Sequence, residues 1–249
     1  MHSTETEVII IGGGPVGLII ALELDRQGIN CLLVNNQLET AVHPKANAIN
    51  SRSMEHFRRH GIASKIRSSG LPSDYPTDVT YVTRLTGYEL ARLSMPSSSV
   101  AVQEAKNSNS VYDCSEPPHR CSQIYLEKIL YDEVLNRTRI DVRFGHEFEE
   151  FKEINGGVTA KIRDLSASTD YYVSAKYLVG ADGGRSKVRR QLGIEYEGEG
   201  GVIRRMMGGA MQATYFYAER SDQWLKLNKS WQYWIIASDL RALLMSVDG

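Results

Sequence analysis

Three glycines, Gly12, Gly14 and Gly17, stand in a G-x-G-x-x-G frame directly behind the apolar run Val8 to Ile11. The run is rich in β-branched residues and reads as a short buried strand. Pro15 then opens an apolar helix that continues to about Gln27. Gly12 permits the tight turn, Gly14 lets backbone approach a pyrophosphate, and Gly17 lets the helix pack close to the strand. The helix N-terminus adds free N–H groups and a positive dipole end for phosphate. A second strand, Cys31 to Val34, closes the βαβ unit. The chemistry this arrangement supports is dinucleotide binding.

A second stretch able to do chemistry is Gly180-Ala181-Asp182-Gly183-Gly184, at the end of a strand and ahead of a short basic helix, Ser186 to Leu192. A carboxylate at the carboxyl end of a strand lies where α/β sheets place ligands. Asp182 can hold a cationic side chain or a ribose hydroxyl, and the glycines around it let backbone and cofactor come close. The same residues also fit a turn whose Asp caps the helix. Cys114, His119 and Cys121 are close in sequence but lack C-x-x-C pairs and a fourth ligand, so they do not read as a metal site. His56 and His60, four apart on one short helix, have no third ligand in register and read as solvated.

The elements that must position these groups are legible in outline. After the βαβ unit, residues 39–50 are polar and irregular, and a short amphipathic helix near Ser53 to His60 stops at Gly61. Asp78 to Met95 reads as two strands turning near Thr86-Gly87. Pro96 to Ser110 is rich in Ser and Asn and reads as a mobile surface loop. Ser122 to Arg137 is the clearest helix, with Ile124, Leu126, Ile129, Leu130, Val134 and Leu135 clustered and Ser122 as N-cap. Strands are expected at Ile140 to Phe144, Glu147 to Ile154, Val158 to Arg163 and Tyr171 to Val179, with Asn155-Gly156-Gly157 a hairpin turn. Ala210 to Tyr217, Ser230 to Ala237 and Ala242 to Val247 are expected to be strands of a second sheet. The order fits an α/β fold: a Rossmann-like dinucleotide domain interleaved with a β-rich second layer.

Composition sets the frame. The chain has 249 residues, 42% hydrophobic and 24% charged, with a formal net charge of −1. That balance gives no general attraction to nucleic acid or anionic membrane. Three cysteines cannot close a disulfide framework, which suggests a reducing compartment, the cytoplasm. No stretch reaches the roughly 18 to 20 apolar residues a membrane span needs.

Four separated segments together resemble the single-component FAD-dependent aromatic hydroxylases, the family of p-hydroxybenzoate and phenol hydroxylases. They are the glycine turn, Val42-His43-Pro44-Lys45-Ala46, Arg120-Cys121-Ser122-Gln123, and Gly180 to Arg189. The resemblance runs over the entire chain and looks like the N-terminal part of a typical member. It implies FAD held by Gly12, Gly14, Pro15, Gly17, Asn35, Lys45, Gln123, Asp182 and Gly183. Lys45 would lie near the pyrophosphate, Gln123 would reach the ribityl chain or phosphates, and Arg189 would orient the Asp-Gly loop. It further implies NAD(P)H as electron donor, O2 as co-substrate and a phenolic or related aromatic compound as substrate. The expected domains are 1–74 with 104–193 for FAD and 75–103 with 194–249 for a partial substrate sheet, where Tyr215, Tyr217, Trp231, Tyr233 and Trp234 are mostly packing aromatics.

Departures from the family pattern bear on affinity. The second strand ordinarily ends in Glu or Asp, which accepts bonds from the adenosine ribose. Here the place is Asn35, whose bond lacks charge assistance, a loss on the order of 1 kcal/mol. Lys45 stands where Arg is more frequent and offers charge without a bidentate fork. The family's second flavin motif, Gly-Asp followed by small residues, is not reached before Val247-Asp248-Gly249. A shortened chain of this kind is expected to hold flavin weakly, to associate with itself or a partner, and to hydroxylate slowly when alone. The alternatives are a non-catalytic, weakly flavin-binding relative and a flavin-dependent halogenase, the latter suggested by Trp231 to Ile236. A plain nicotinamide dehydrogenase is disfavoured by the Asp182-Gly183 segment.

Overall fold

The computed structural model describes residues 3–107, 111–198, 209–219, 225 and 227–248. In chain order the elements are β1 (Ser3–Ile11), α1 (Pro15–Arg26), β2 (Cys31–Asn35), β3 (Ala48–Ile49), α2 (Ser51–Arg59), α3 (Ala63–Arg67), β4 (Val79–Val82), β5 (Glu89–Leu93) and α4 (Ser98–Glu104). They continue with β6 (His119–Arg120), α5 (Gln123–Leu135), β7 (Ile140–Phe144), β8 (His146–Ile154), β9 (Gly157–Asp164), β10 (Thr169–Gly180), α6 (Lys187–Gln191), β11 (Gln232–Ile236) and β12 (Arg241–Met245). Two compact units divide the chain, Met1–Val42 with Leu126–Val202 and His43–Tyr125 with Ile203–Gly249.

The first unit is built on a six-stranded sheet in the order β7-β2-β1-β10-β9-β8. β7, β2, β1 and β10 run parallel, and β9 and β8 extend the sheet as an antiparallel hairpin. Val8 to Ile11 are buried without alternation, as expected for a strand covered on both faces. One face packs Ile9, Ile11, Leu32 and Val34 with Ala160, Ile162, Val173 and Val188. α1 contributes buried Gly17, Leu18, Ala21 and Leu22. Asn155 and Gly156 form the two-residue connection of the β8–β9 hairpin, with Gly156 at φ +85, a conformation glycine adopts without penalty.

The second unit holds a four-stranded sheet, β12-β11-β4-β5, and a two-stranded ribbon, β3-β6. Buried aromatics of this unit include Trp231 and Tyr75, clustered with Leu71, and Tyr233, clustered with Val82 and Ile235. Thr80, fully buried on β4, shares a 2.7 Å hydroxyl bond with the equally buried Ser230, so these two polar groups satisfy one another.

Several expectations are revised. The Ser- and Asn-rich stretch is not all loop, because α4 occupies Ser98–Glu104: Ser97 accepts from the Val100 amide and Ala101 is buried. Residues 108–110 of that stretch lie outside the described residues. Ala210 to Tyr217 form no strand, and Tyr215, Phe216 and Tyr217 are exposed, with no ladder partner to hold them. α3 and the β3–β6 ribbon were not expected. The compact units also draw 43–74 and 104–125 together with the second sheet, not with the dinucleotide fold. The ribbon ties Ile49 to His119, and Tyr125 donates to Asp248 at 2.8 Å, so these segments cohere with residues near 248.

Candidate functional site

The glycine turn is shaped by contacts that only glycine allows. Gly12 adopts φ +113, and a Cβ there would collide with the Ala181 carbonyl. A Cβ on Gly17 would collide with the Gly12 carbonyl, the close helix–strand approach expected of the frame's last glycine. A Cβ on Gly14 would meet nothing within 4 Å, so this position faces open space. Gly14 is also the N-cap of α1, where no side chain caps the helix and no acidic residue stands in the first turn; Pro15 follows at its start. The helix therefore presents uncapped amides to whatever occupies that space.

Gly13 was not singled out by the sequence, yet it is equally constrained. Its Cβ would stand 2.7 Å from the Phe144 ring and 2.8 Å from the Asn35 Cβ. The unbroken run Gly12-Gly13-Gly14 was the available signal. The Gly13 amide donates to Asn35 Oδ1 at 3.2 Å. Asn35 thus ends β2 beside the turn, as its place in the sequence requires, but its carbonyl is already engaged. The group it keeps for a ligand is the Nδ2 amide, a donor.

The Asp-Gly loop lies against the same turn. Ala181 N donates to Ile11 O at 2.7 Å, which fixes the loop at the carboxyl ends of β1 and β10. Asp182 Oδ2 accepts from the Lys187 and Val188 amides at 2.6 and 3.3 Å, so the carboxylate caps α6. Its other oxygen, Oδ1, is buried and has no hydrogen-bond partner. An unpaired buried carboxylate oxygen is costly and marks a place where a donor belongs. Gly183, at φ +76, and Gly184 leave open space around it. A hydroxyl-bearing cofactor fits this set: uncapped amides, an open glycine and an orphaned acceptor on one loop cluster. Of the two readings of Asp182, the helix cap is made by Oδ2, and Oδ1 is the oxygen left for a ligand group.

Arg189 does not reach that loop. Its guanidinium donates to Ile194 O at 2.5 Å and lies 4.3 Å over the Tyr196 ring. The loop is ordered instead by the Asp182 cap and by Ser186, which accepts from the Arg189 amide at 2.9 Å.

Lys45 and Gln123 belong to the second unit. Gln123 opens α5, and its amide donates to Ala46 O at 2.7 Å, which brings the Lys45 segment beside the start of that helix. Lys45 is exposed. Among the described residues no set of three His, Cys, Asp or Glu converges to hold a metal. Cys114 Sγ instead meets the Ser51 hydroxyl, and burial pushes Cys121 up to about 11 and Cys31 up to about 12, leaving both as unreactive thiols. No helix among the described residues is long and apolar enough to cross a membrane.

With this geometry in place, residues 5–248 match the family described as FAD binding domain. The chain is 34% identical over 200 residues to the 2,4-dichlorophenol 6-monooxygenase of Delftia acidovorans, covering 80% of this chain and 33% of that protein. Among solved structures, the rebeccamycin biosynthetic enzyme REBC superposes with a TM-score of 0.80 at 30% identity, over 100% of this chain and 46% of the other. The flavin-dependent monooxygenase PieE, solved with FAD and substrate, superposes with a TM-score of 0.70 at 33% identity, over 80% of this chain and 34% of its own. The chain thus spans between a third and a half of the length of these proteins.

Proposed function

Since this chain belongs to the FAD binding domain family, we propose that it binds FAD for a monooxygenase that hydroxylates a phenolic or related aromatic ring with NAD(P)H and O2. The observation that carries the reading is Asp182 Oδ1, buried and unpartnered on a loop whose neighbouring Ala181 touches the glycine turn. When bound, FAD accepts reducing equivalents from NAD(P)H and, with O2, supplies the oxygen atom transferred to the ring. The protein's part is to bind and orient. The first-turn amides of α1 and the space over Gly14 receive the pyrophosphate, and Pro15 pre-sets that turn. Asn35 stands at the adenosine ribose, and Asp182 with Gly183 accepts from a cofactor hydroxyl; Lys45 and Gln123 are assigned to the cofactor on the family resemblance. In this assignment Met1–Val42 with Leu126–Val202 forms the main cofactor-binding unit, and the sheet β12-β11-β4-β5 belongs to the substrate side. All three cysteines are free, which accords with a cytoplasmic protein.

The halogenase alternative is set aside. Trp231 to Ile236 is accounted for by β11, in which Tyr233 and Ile235 pack into the second unit's core, and Trp231 packs with Leu71 and Tyr75. The test is direct. Apo protein titrated with FAD should show saturable quenching of flavin fluorescence, and the complex should oxidise NAD(P)H with formation of hydroxylated 2,4-dichlorophenol or a related phenol detected by mass spectrometry. Flavin binding without ring product would make the chain a flavin-binding relative, the reading that Asn35 and Lys45 favour. Absence of flavin binding would overturn the proposal.

A further inference from the structure

A carboxylate at the end of the second strand of a βαβ unit accepts from the hydroxyls of the adenosine ribose. The same carboxylate repels a phosphate carried on the 2′-oxygen, so it selects the unphosphorylated nucleotide. In the first unit that place belongs to Asn35, and one hydrogen bond decides which of its groups remains. The Gly13 N–H, 3.2 Å from Oδ1, can bond only to the amide oxygen, so the turn consumes Oδ1 and leaves Nδ2. An Nδ2 group is an uncharged donor. It bonds a hydroxyl oxygen and a phosphate oxygen alike.

The carboxylates of this unit do not restore the selectivity. α1 carries no acidic residue in its first turn. Asp141, on the neighbouring strand β7, lies beside Leu32, three positions before Asn35, and is held by Arg143 at 2.6 Å. Asp182 follows β10, on the opposite edge of β1 from β2. Glu39, the nearest acid in sequence, is exposed, and water and salt screen its charge. The chain beyond Asn35 is open as well. Asn36, Gln37 and Leu38 are all exposed, so a phosphate that projects past Asn35 keeps its contact with water.

We propose that the adenosine end of this site accepts 2′-phosphorylated adenine dinucleotides as readily as unphosphorylated ones, with Asn35 as the specificity-determining residue. A 2′-phosphorylated nicotinamide dinucleotide therefore competes with FAD for the glycine turn. The inference rests on the flavin reading of the turn and goes beyond it, because that reading says nothing of what the 2′-oxygen may carry.

The experiment measures displacement of FAD from the whole chain by ADP-ribose and by 2′-phospho-ADP-ribose, which differ only in the phosphate on the adenosine ribose. Recovery of flavin fluorescence reports the displacement. Both ligands should displace FAD, with ADP-ribose no more than about threefold the better. Asn35→Asp keeps the Gly13 bond and restores a carboxylate. In that variant the 2′-phosphate ligand should weaken by about tenfold or more, while ADP-ribose and FAD tighten. A general loosening of the turn would weaken all three, so the opposite shifts isolate the effect of the charge. Circular dichroism reports whether the variant folds, and if it does not, the two ligands compared on the unaltered chain decide. Three outcomes overturn the inference while FAD binding stands: ADP-ribose preferred by about tenfold or more on the unaltered chain, displacement by neither ligand, or an unchanged ratio in folded Asn35→Asp. Failure of FAD itself to bind overturns the flavin reading and this inference together.

Discussion

Gly14 and Gly17 follow the end of β1 at Ile11 by three and six residues, and what separates them physically is what lies beyond the α-carbon. Gly14 faces open space, so Gly14→Val should fold normally and lose FAD, because the added side chain fills the room meant for the pyrophosphate. Gly17→Ala drives a methyl into the Gly12 carbonyl and should destabilise the fold itself, by roughly 2 to 4 kcal/mol. Urea midpoints and flavin titration on both variants check this, and Gly14→Val that retains flavin would remove the turn from the site. Asn35 gives a second contrast. With Oδ1 held by the Gly13 amide, Asn35→Asp keeps that bond and replaces the Nδ2 donor by a charged acceptor for the ribose. FAD should tighten by about 1 kcal/mol, or several-fold in Kd. Equal or weaker binding in the titration would show that the ribose is held elsewhere.

Among the elements, the two-residue strand β6 carries a pH-sensitive group. Burial, with the Arg67 charge as a second cause, lowers His119 to about 4 from its ordinary 6.5. Between those values the unfolded chain takes up a proton that the folded chain refuses, so stability falls as pH drops from 6.5 to 4 and this contribution levels off below. The loss is on the order of 3 kcal/mol. Urea unfolding at pH 7 and pH 4.5 should show a smaller acid loss in His119→Gln than in the unaltered chain; equal losses would assign the effect to other groups. Elements were legible where a periodic pattern met a cap or a turn residue. α1, the hairpin at Gly156, α5 and the run of strands from Ile140 to Gly180 all have both signals. α4 was obscured because Ser97 to Ser99 signals a loop by composition while Ser97 acts as a cap. The β3–β6 ribbon is two residues long on each side and leaves no periodicity to find. At the site, the glycine spacing and the Asp182 position could be read directly. The Gly13–Asn35 bond and the idle Oδ1 could not, because both depend on how two distant loops meet.

The whole molecule consists of two units, each assembled from segments far apart in the chain. Within the first, β1 lies between β2 and β10, with Val8 beside Cys31 on one edge and Tyr177 on the other. A ribosome making 5 to 20 residues per second delivers β2 within roughly a few seconds of β1, but β10 follows about 170 residues later, after roughly 10 to 30 seconds. For that interval the strand carrying the buried run Val8 to Ile11 has one edge without a partner, an arrangement open to mispairing. Synthesis, more than the finished fold, is thus the exposed stage in this protein's life. Ribosome-bound chains halted with β10 still inside the exit tunnel should be cleaved readily near β1 in pulse proteolysis, and chains with β10 released should resist. Equal resistance at both lengths would mean that β1 is protected before its second neighbour exists.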